Sequence, residues 1–428
     1  MSRLEKLVRI VHSVHFKILI SFAFVILSGT VLLKLPVSIQ DGAVLTWFDS
    51  LFIATSAVCV TGLTPVILAD VFTPVGFFFI ALLVQIGGLS FATFAAAFLL
   101  FLRRKASSTM IVESYGVKTR KWARLVKITM GITFSVEALG TLILFFFYQP
   151  YTSTLLESLG QAAFTSVSAF NNAGFDAFGT SMVGFNDHAG ILITVASLIV
   201  LGGLGFLVYA DLLDNRGRKL SIQTKVVVVT TVFLIIAGTL GFFLTGEMDL
   251  VNSLFQSVTA RTAGFESVPQ AEQSTYTLFL TVILMFIGAS PGSTGGGIKT
   301  TTFFVLVLTF ISVIRQSSPV AFKRRLSSES IFKAFAVFMI SIMIVCASSL
   351  VIMGLEEDKD PLFIIFEVVS AYATVGLSCA LTPTLRIASR ALLILLMFIG
   401  RVGPLTIAGL VAHKKERLNY LEENINIG

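Results

Sequence analysis

Apolar residues run in long blocks along this chain, and polar residues gather in short breaks between them. A run of about 20 apolar residues is long enough to cross a bilayer as a helix. Such runs fall near 16–35, 75–102, 122–148, 189–213, 224–245, 276–290 continued by 300–314, 330–354 and 390–411. They predict eight transmembrane helices in four pairs. Within each pair lies a short amphipathic run, "TWFDSLFIATSA", "LLESLGQAAFTSVS", "DLVNSLFQSVT" or "DPLFIIFEVVS". Each reads as a half-helix that leads into a polar, glycine-bearing segment too short to span. The expected fold is all-α and integral to a membrane.

The four polar segments resemble one another: "TSAVCVTGLTP" (55–65), "SVSAFNNAGFDAF" (166–178), "SVTARTAGFESV" (257–268) and "VSAYATVGLSCA" (369–380). Aligned on one glycine they give Gly62, Gly174, Gly264 and Gly376, spaced 112, 90 and 112 residues apart. A second landmark follows in "QIGGLS", "VLGGLG", "FIGASPG" and "FIGRVG". It places Gly87, Gly202, Gly288 and Gly400 at 25, 28, 24 and 24 residues downstream. Two landmarks recurring in register define four helix–loop–helix repeats: 1–110, 111–218, 219–322, and 323–428 with its short cytoplasmic tail. Pseudo-fourfold symmetry around a central pore is expected.

Non-helical backbone at membrane depth is tolerated only where it is buried or lines a water-filled path. A glycine can take positive φ and turn neighbouring carbonyls one way. Four such loops around an axis would offer carbonyl rings that replace a cation's hydration shell, with the negative ends of four half-helices aimed at the same place. The candidate filter is therefore Val60, Thr61 and Gly62; Asn172, Ala173 and Gly174; Thr262, Ala263 and Gly264; and Thr374, Val375 and Gly376. Helix-packing glycines are the bland alternative; four matched positions after four matched half-helices favour the pore.

Composition removes the soluble classes. Of 428 residues 55% are hydrophobic and 13% charged, whereas soluble domains carry roughly 25% charged residues; the mean hydropathy is +0.90. The net charge of +7 invites a nucleic-acid partner, but its placement explains it otherwise. Basic residues crowd 103–127, 214–225, 315–333 and both ends, while the alternate loops are acidic. That is the positive-inside pattern of a plasma-membrane protein with both termini cytoplasmic. The first apolar run is followed by further spans and reads as one itself, not as a signal peptide. Cys59, Cys346 and Cys379 leave one over after any pairing, and His12, His15, His188 and His413 lack metal-ligand spacing.

The third repeat interrupts its second helix with "GASPGSTGGGIKT" (288–300). Pro291 removes a backbone donor, and Gly292, Gly295, Gly296 and Gly297 dismantle the helix. A phosphate-binding loop fails on register, because Ile298 stands where lysine is needed and Lys299 comes one place late. A flexible gate below the filter fits better, built from Gly288, Pro291, Gly292, Ser293, Thr294, Gly295, Gly296, Gly297 and Lys299; a simple kink is the alternative. Arg401, in "FIGRVGP", is costly at membrane depth. It either faces the gate and hydrogen-bonds carbonyls of 291–297, or pairs with Glu137. Arg261 is expected to point behind the filter and anchor its loop by hydrogen bonds or an acidic neighbour. The side chains of Asn171 and Asn172 are expected to brace. Asp176 and Glu266 either concentrate cations at the mouth or are simply solvated.

Over nearly its whole length the chain resembles the Trk/Ktr/HKT superfamily of potassium transporters, whose filter pattern is matched by "VTGL", "NAGF", "TAGF" and "TVGL". With eight spans and no additional N-terminal pair, it is most similar to the membrane subunits of bacterial Ktr systems. The resemblance implies transport of K+ held by backbone carbonyls, and K+ selectivity because all four glycines are present. It also implies a gating loop in the third repeat, an arginine beside it, and a homodimer seated on a cytosolic nucleotide-binding ring subunit within membrane lipid. Sodium dependence stays open, as does a sodium translocator of the same fold. No nucleotide site or phosphorylated-Asp motif supports an enzyme, and no organic cofactor or nucleic acid is expected.

Overall fold

The computed structural model describes residues 14–89, 122–215 and 219–404. The basic stretch 103–121, Arg216 and Arg218, the tail 412–428, and the inner ends of the expected spans 75–102 and 390–411 lie outside the described residues.

The chain is helical. Four half-helices, α2 (Trp47–Cys59), α5 (Leu155–Phe170), α9 (Leu250–Thr259) and α13 (Pro361–Ala373), are each flanked by two apolar helices. The preceding partners are α1 (Val14–Leu33), α4 (Trp122–Tyr148), α8 (Ile222–Phe243) and α12 (Ser328–Leu355); the following ones are α3 (Pro74–Gly88), α6 (Ala189–Gly203), α10 (Thr275–Phe286) and α14 (Ile387–Val402). Each half-helix starts where its sequence supplies an N-cap. Thr46, Thr154, Asp249 and Asp360 accept from the amides of Asp49, Glu157, Asn252 and Leu362, satisfying donors the helix leaves open.

Three described helices are long and apolar enough to cross a membrane, spanning Arg124–Tyr151, Ile222–Phe243 and Ser328–Leu355. Their outer faces are apolar rather than polar: Phe233 on α8 is 60% exposed and Phe332 on α12 is 73% exposed. That is the inverse of a soluble helix.

Two expectations need correction. The run 189–213 is not one straight helix: it breaks after Gly203, and α7 (Phe206–Asn215) leaves at 80°. Gly205 turns the chain at φ +92, and Phe206 donates its amide to Gly292 O at 2.9 Å. Hydropathy could not register a break whose residues are all apolar. The fold is also not purely α. Between α11 (Thr300–Ile314) and α12, strands β1 (Val320–Ala321) and β2 (Arg324–Arg325) pair as a hairpin. The interruption between α10 and α11 falls where the glycine-rich segment predicts it.

The second landmark glycines lie where following helices meet half-helix ends. A Cβ built on Gly87, Gly202 or Gly400 would stand 2.1, 1.7 or 1.8 Å from the carbonyl oxygens of Val58, Phe170 and Tyr372. Only glycine lets those backbones approach so closely. Outer loops are tied by acids that end the preceding helix. Glu247 accepts from Ser274 N and Thr277 Oγ1, and Glu356 accepts from Arg386 N and Ser389 Oγ. Each carboxylate thereby holds a helix N-terminus, the third repeat repeating the device of the fourth. An ion pair between Asp49 and Arg390, at 2.8 Å and largely buried, ties α2 to α14.

Candidate functional site

The four aligned glycines close into a ring. A Cβ built on Gly62 would lie 2.6 Å from Ala173 O, on Gly174 2.7 Å from Ala263 O, on Gly264 2.3 Å from Val375 O, and on Gly376 2.1 Å from Thr61 O. Each glycine thus abuts the carbonyl before the next repeat's glycine, and the circuit returns to its start. All four have positive φ, from 68 to 104, which a side chain would oppose for a second reason.

Two residues before each glycine stands a residue that is itself left-handed: Val60, Asn172, Thr262 and Thr374 at φ 57, 59, 80 and 52. In a β-branched residue such a φ is an outlier, and its strain, about 1–3 kcal/mol each, persists only where the surroundings enforce it. Here the enforcement is visible. Val60 N donates to Ala57 O and Thr61 N to Ser56 O; Thr374 N donates to Ala371 O and Val375 N to Ser370 O; Asn172 N donates to Ala169 O and Ala173 N to Ser168 O. This is the helix-terminating arrangement usually built on glycine. The third repeat departs from it, with Ala263 N and Gly264 N both reaching Thr259 O.

The chain's polar atoms support the ring from behind. Ser56 Oγ accepts from Gly62 N at 3.0 Å, and Ser370 Oγ accepts from Gly376 N at 3.1 Å. Thr259 Oγ1 donates to Phe265 O at 2.7 Å. Sequence reading passed over these residues, although Ser56 and Ser370 stand six places before their glycines inside the segments already aligned; Ser168, at the matching place in the second repeat, has a buried hydroxyl without a partner. A cavity of about 290 Å³ beside the ring is lined by all four ring glycines together with Asp176, Glu266 and Ser378. Glu266 accepts from Ser378 N at 3.1 Å, and Asp176 accepts from the amides of Phe178 and Gly179. Both acids therefore hold backbone amides that shape the mouth.

Inward, the loop 287–299 closes on the ring. Ile287 bridges Ile298, and Thr300 N donates to Ala289 O. A Cβ on Gly295 would stand 2.1 Å from Thr262 Oγ1, and one on Gly296 2.2 Å from Thr374 Oγ1. The loop thus packs directly on the threonines at the ring's inner side. Those hydroxyls and that of Thr61 are buried without a partner. Thr294 Oγ1 donates to Phe170 O and meets the Asn172 carboxamide at 3.1 Å, so Asn172 braces as expected. Lys299 Nζ donates to Gly295 O at 2.8 Å and Gly296 O at 3.3 Å.

Arg401 joins this loop, with Nη1 on Thr294 O and Nη2 on the carbonyls of Gly87 and Gly88. The alternative pairing with Glu137 is not found: Glu137 instead accepts from Gln85 and from Asn171 Nδ2 at 2.9 Å. Asn171 therefore braces too, through a buried network the sequence signalled only as a lone acid in an apolar helix. Arg261 overturns its expectation. It is buried, its Nε has no partner, and among the described residues its side chain forms no hydrogen bond or ion pair.

No group of three or more metal-ligating side chains forms among the described residues; what converges here is backbone carbonyl. Residues 8–245 and 222–420 match the family TrkH, described as "Cation transport protein". The Ktr system potassium uptake protein B of Vibrio alginolyticus is 37% identical over 439 residues, covering 96% of this chain and 94% of that protein. The protein of the same name in Bacillus subtilis is 36% identical over 408 residues, covering 90% of each. The potassium/sodium uptake protein NtpJ of Enterococcus hirae is 33% identical, covering 95% of each. The potassium transporter TrkH from Vibrio parahaemolyticus superposes with a TM-score of 0.73 at 19% identity, over 96% of this chain and 85% of that one, a likeness of fold. A ring of backbone carbonyls, an apolar helical shell and matches over almost the full length lead to one assignment: the chain belongs to the TrkH family of cation transport proteins.

Proposed function

We propose that this chain is the ion-translocating subunit of a potassium-uptake system, built as eight spans in four repeats with pseudo-fourfold symmetry. A cation collects in the outer cavity, where Asp176 and Glu266 attract it. It sheds water onto carbonyls of residues 60–62, 172–174, 262–264 and 374–376, steadied by the negative ends of α2, α5, α9 and α13. One glycine per repeat gives a short filter. Below it the loop 288–299 obstructs the path, and Arg401 repels a cation while holding the loop by its Thr294 carbonyl. Flow follows when that loop moves aside.

The observation that carries this reading is the closed circuit from Gly62 through Gly174 and Gly264 to Gly376, in which every Cβ position is filled by the next repeat's carbonyl. Relatives named as Ktr potassium uptake proteins support K+ as cargo and a multi-component assembly. We extend that to a homodimer seated on a cytosolic nucleotide-binding ring subunit, with both termini cytoplasmic. A relative named for potassium and sodium keeps a sodium translocator as the second reading. The test is ion uptake by potassium-uptake-deficient bacteria expressing wild type or Gly62→Ser, with the cytosolic partner present. Wild type is expected to take up K+ in preference to Na+ and the variant to lose that preference. Sodium flux alone from the wild type would overturn potassium as cargo, and an unchanged preference in the variant would overturn the filter assignment.

A further inference from the structure

The hairpin after α11 is built at a cost. Its two turn residues, Phe322 and Lys323, have φ of +49 and +64, a turn that normally recruits Asn-Gly because both positions are left-handed. An aromatic and a lysine held there present their side chains against local preference. Phe322 is 44% exposed and Val320 50%. Lys323, Arg324 and Arg325 follow in sequence, all exposed. Among the described residues no ion pair reaches these three or Arg315; the acid on the adjoining helix, Glu329, is held by Lys333 at 2.6 Å.

The neighbours fix the level at which these charges sit. The last turn of α11 exposes Val313 and Ile314 at 71% and 67%, directly before Arg315. The first turns of α12 expose Phe332 and Phe335 at 73% and 55%. Arg315 thus directly follows exposed apolar residues, and the hairpin cations, without an ion-pair partner among the described residues, lie in the chain between that turn and the apolar first turns of α12, the arrangement expected at the depth of phospholipid headgroups. Lys225 at the start of α8 adds a further cation over the Phe322 ring at 5.8 Å. A purely aqueous contact would not need the apolar tip, and a purely apolar one would not tolerate the cations.

We propose that the hairpin 320–325 is a docking surface for anionic phospholipid headgroups, Phe322 and Val320 entering the interface while Lys323, Arg324 and Arg325 meet phosphates. This rests on the chain residing in a membrane with this end facing the cytoplasm, not on what it transports. Because α11 continues directly from the gating loop, lipid held here anchors the helix on which that loop is hung.

The test titrates phosphatidylglycerol or phosphatidylcholine into the purified full chain in neutral detergent and reads lipid binding and thermal unfolding. A cation near an anionic surface contributes about fivefold to binding, so Lys323→Gln/Arg324→Gln/Arg325→Gln should bind phosphatidylglycerol about a hundredfold more weakly. Wild type is expected to be stabilised by phosphatidylglycerol and not by phosphatidylcholine. A second variant guards against a folding artefact. Lys323→Gly relieves the turn, so it should unfold at a higher temperature in detergent alone yet respond less to phosphatidylglycerol. A triple variant that keeps the full response overturns the proposal, as does equal stabilisation of wild type by both lipids. Loss of binding to a cytosolic partner with lipid binding intact would overturn it too, assigning the surface to protein.

Discussion

The third and fourth repeats share a plan and use it differently. In the fourth, Gly400 lets α14 press against the Tyr372 carbonyl at the end of α13, a contact between two packed backbones. In the third, the matching Gly288 meets Gly296 O instead, 2.1 Å from its built Cβ. The loop 288–299 has folded into the space where an uninterrupted helix would run. The fourth repeat ends its half-helix with paired bonds to Ala371 and Ser370, while the third directs two amides to Thr259. One glycine position thus supports helix against half-helix in one repeat and a folded loop in the other.

Substituting both glycines gives the largest expected effect. Gly400→Ala drives a methyl into backbone that has nowhere to go, and should cost at least about 3 kcal/mol, beyond ordinary overpacking. The measurement is the yield and unfolding temperature of purified protein. Gly288→Ala pushes on a loop, so it should unfold close to wild type while passing more K+ at rest. Equal collapse of both variants would remove the distinction between wall and gate.

Arg401→Gln sharpens the comparison from the fourth repeat's side. It deletes the charge and weakens the bonds to Thr294 and to Gly87 and Gly88. A hydrogen bond to a charged group is worth about 1.5–3 kcal/mol, so resting flux should rise about tenfold or more. Flux into vesicles without the cytosolic partner would read this, and an unchanged rate would show that the arginine does not restrain the loop.

A smaller effect is expected in the second repeat, where Glu137 and Gln85 hold Asn171. Glu137→Ala leaves the Gln85 amide short of its acceptor, at about 1–3 kcal/mol, whereas Glu137→Gln keeps a carbonyl there and should lose less. Thermal unfolding with the K+-over-Na+ uptake ratio separates a brace from filler. If alanine and glutamine behave alike, the hydrogen bond is not what matters.

The smallest effect concerns Glu247, outside the spans. Burial alone would raise its pKa, but hydrogen bonds from Ser274 and Thr277 together outweigh this and hold it below the usual glutamate value of 4.5. Its contribution is therefore present above that value and lost as pH falls through the lowered one. Glu247→Gln should flatten a shallow acid shoulder in the unfolding profile and leave neutral pH nearly unchanged. A shoulder of undiminished size would point to another carboxylate.

Much of this was legible because repetition amplifies weak signals. A single Gly62 says little, but four glycines in register locate the ring, and "GASPGSTGGGIKT" marks the broken helix without help. What remained hidden depended on contacts between distant segments. Nothing local in Gln85 announces Glu137 and Asn171 as partners, and nothing near Gly205 tells that an apolar run turns by 80°. Arg401 left two readings open because either a carboxylate or a cluster of carbonyls can satisfy a guanidinium. Arg261 shows the reverse limit, since sequence reasoning assumed a partner that the described residues do not supply.

The contacts that seal the circle, Gly376 against Thr61 and Arg390 on Asp49, join the end of the chain to its beginning, the ion pair across 341 positions. Closing so long a loop is only modestly harder than closing a short one, because the entropic cost grows with the logarithm of its length. It is late nonetheless. While the protein is being made and threaded into its membrane, three quarters of the circle stands beside a gap that only the last repeat can fill. The ring is thus incomplete in every partial product and closes in a single step, when the fourth repeat takes its place beside the first.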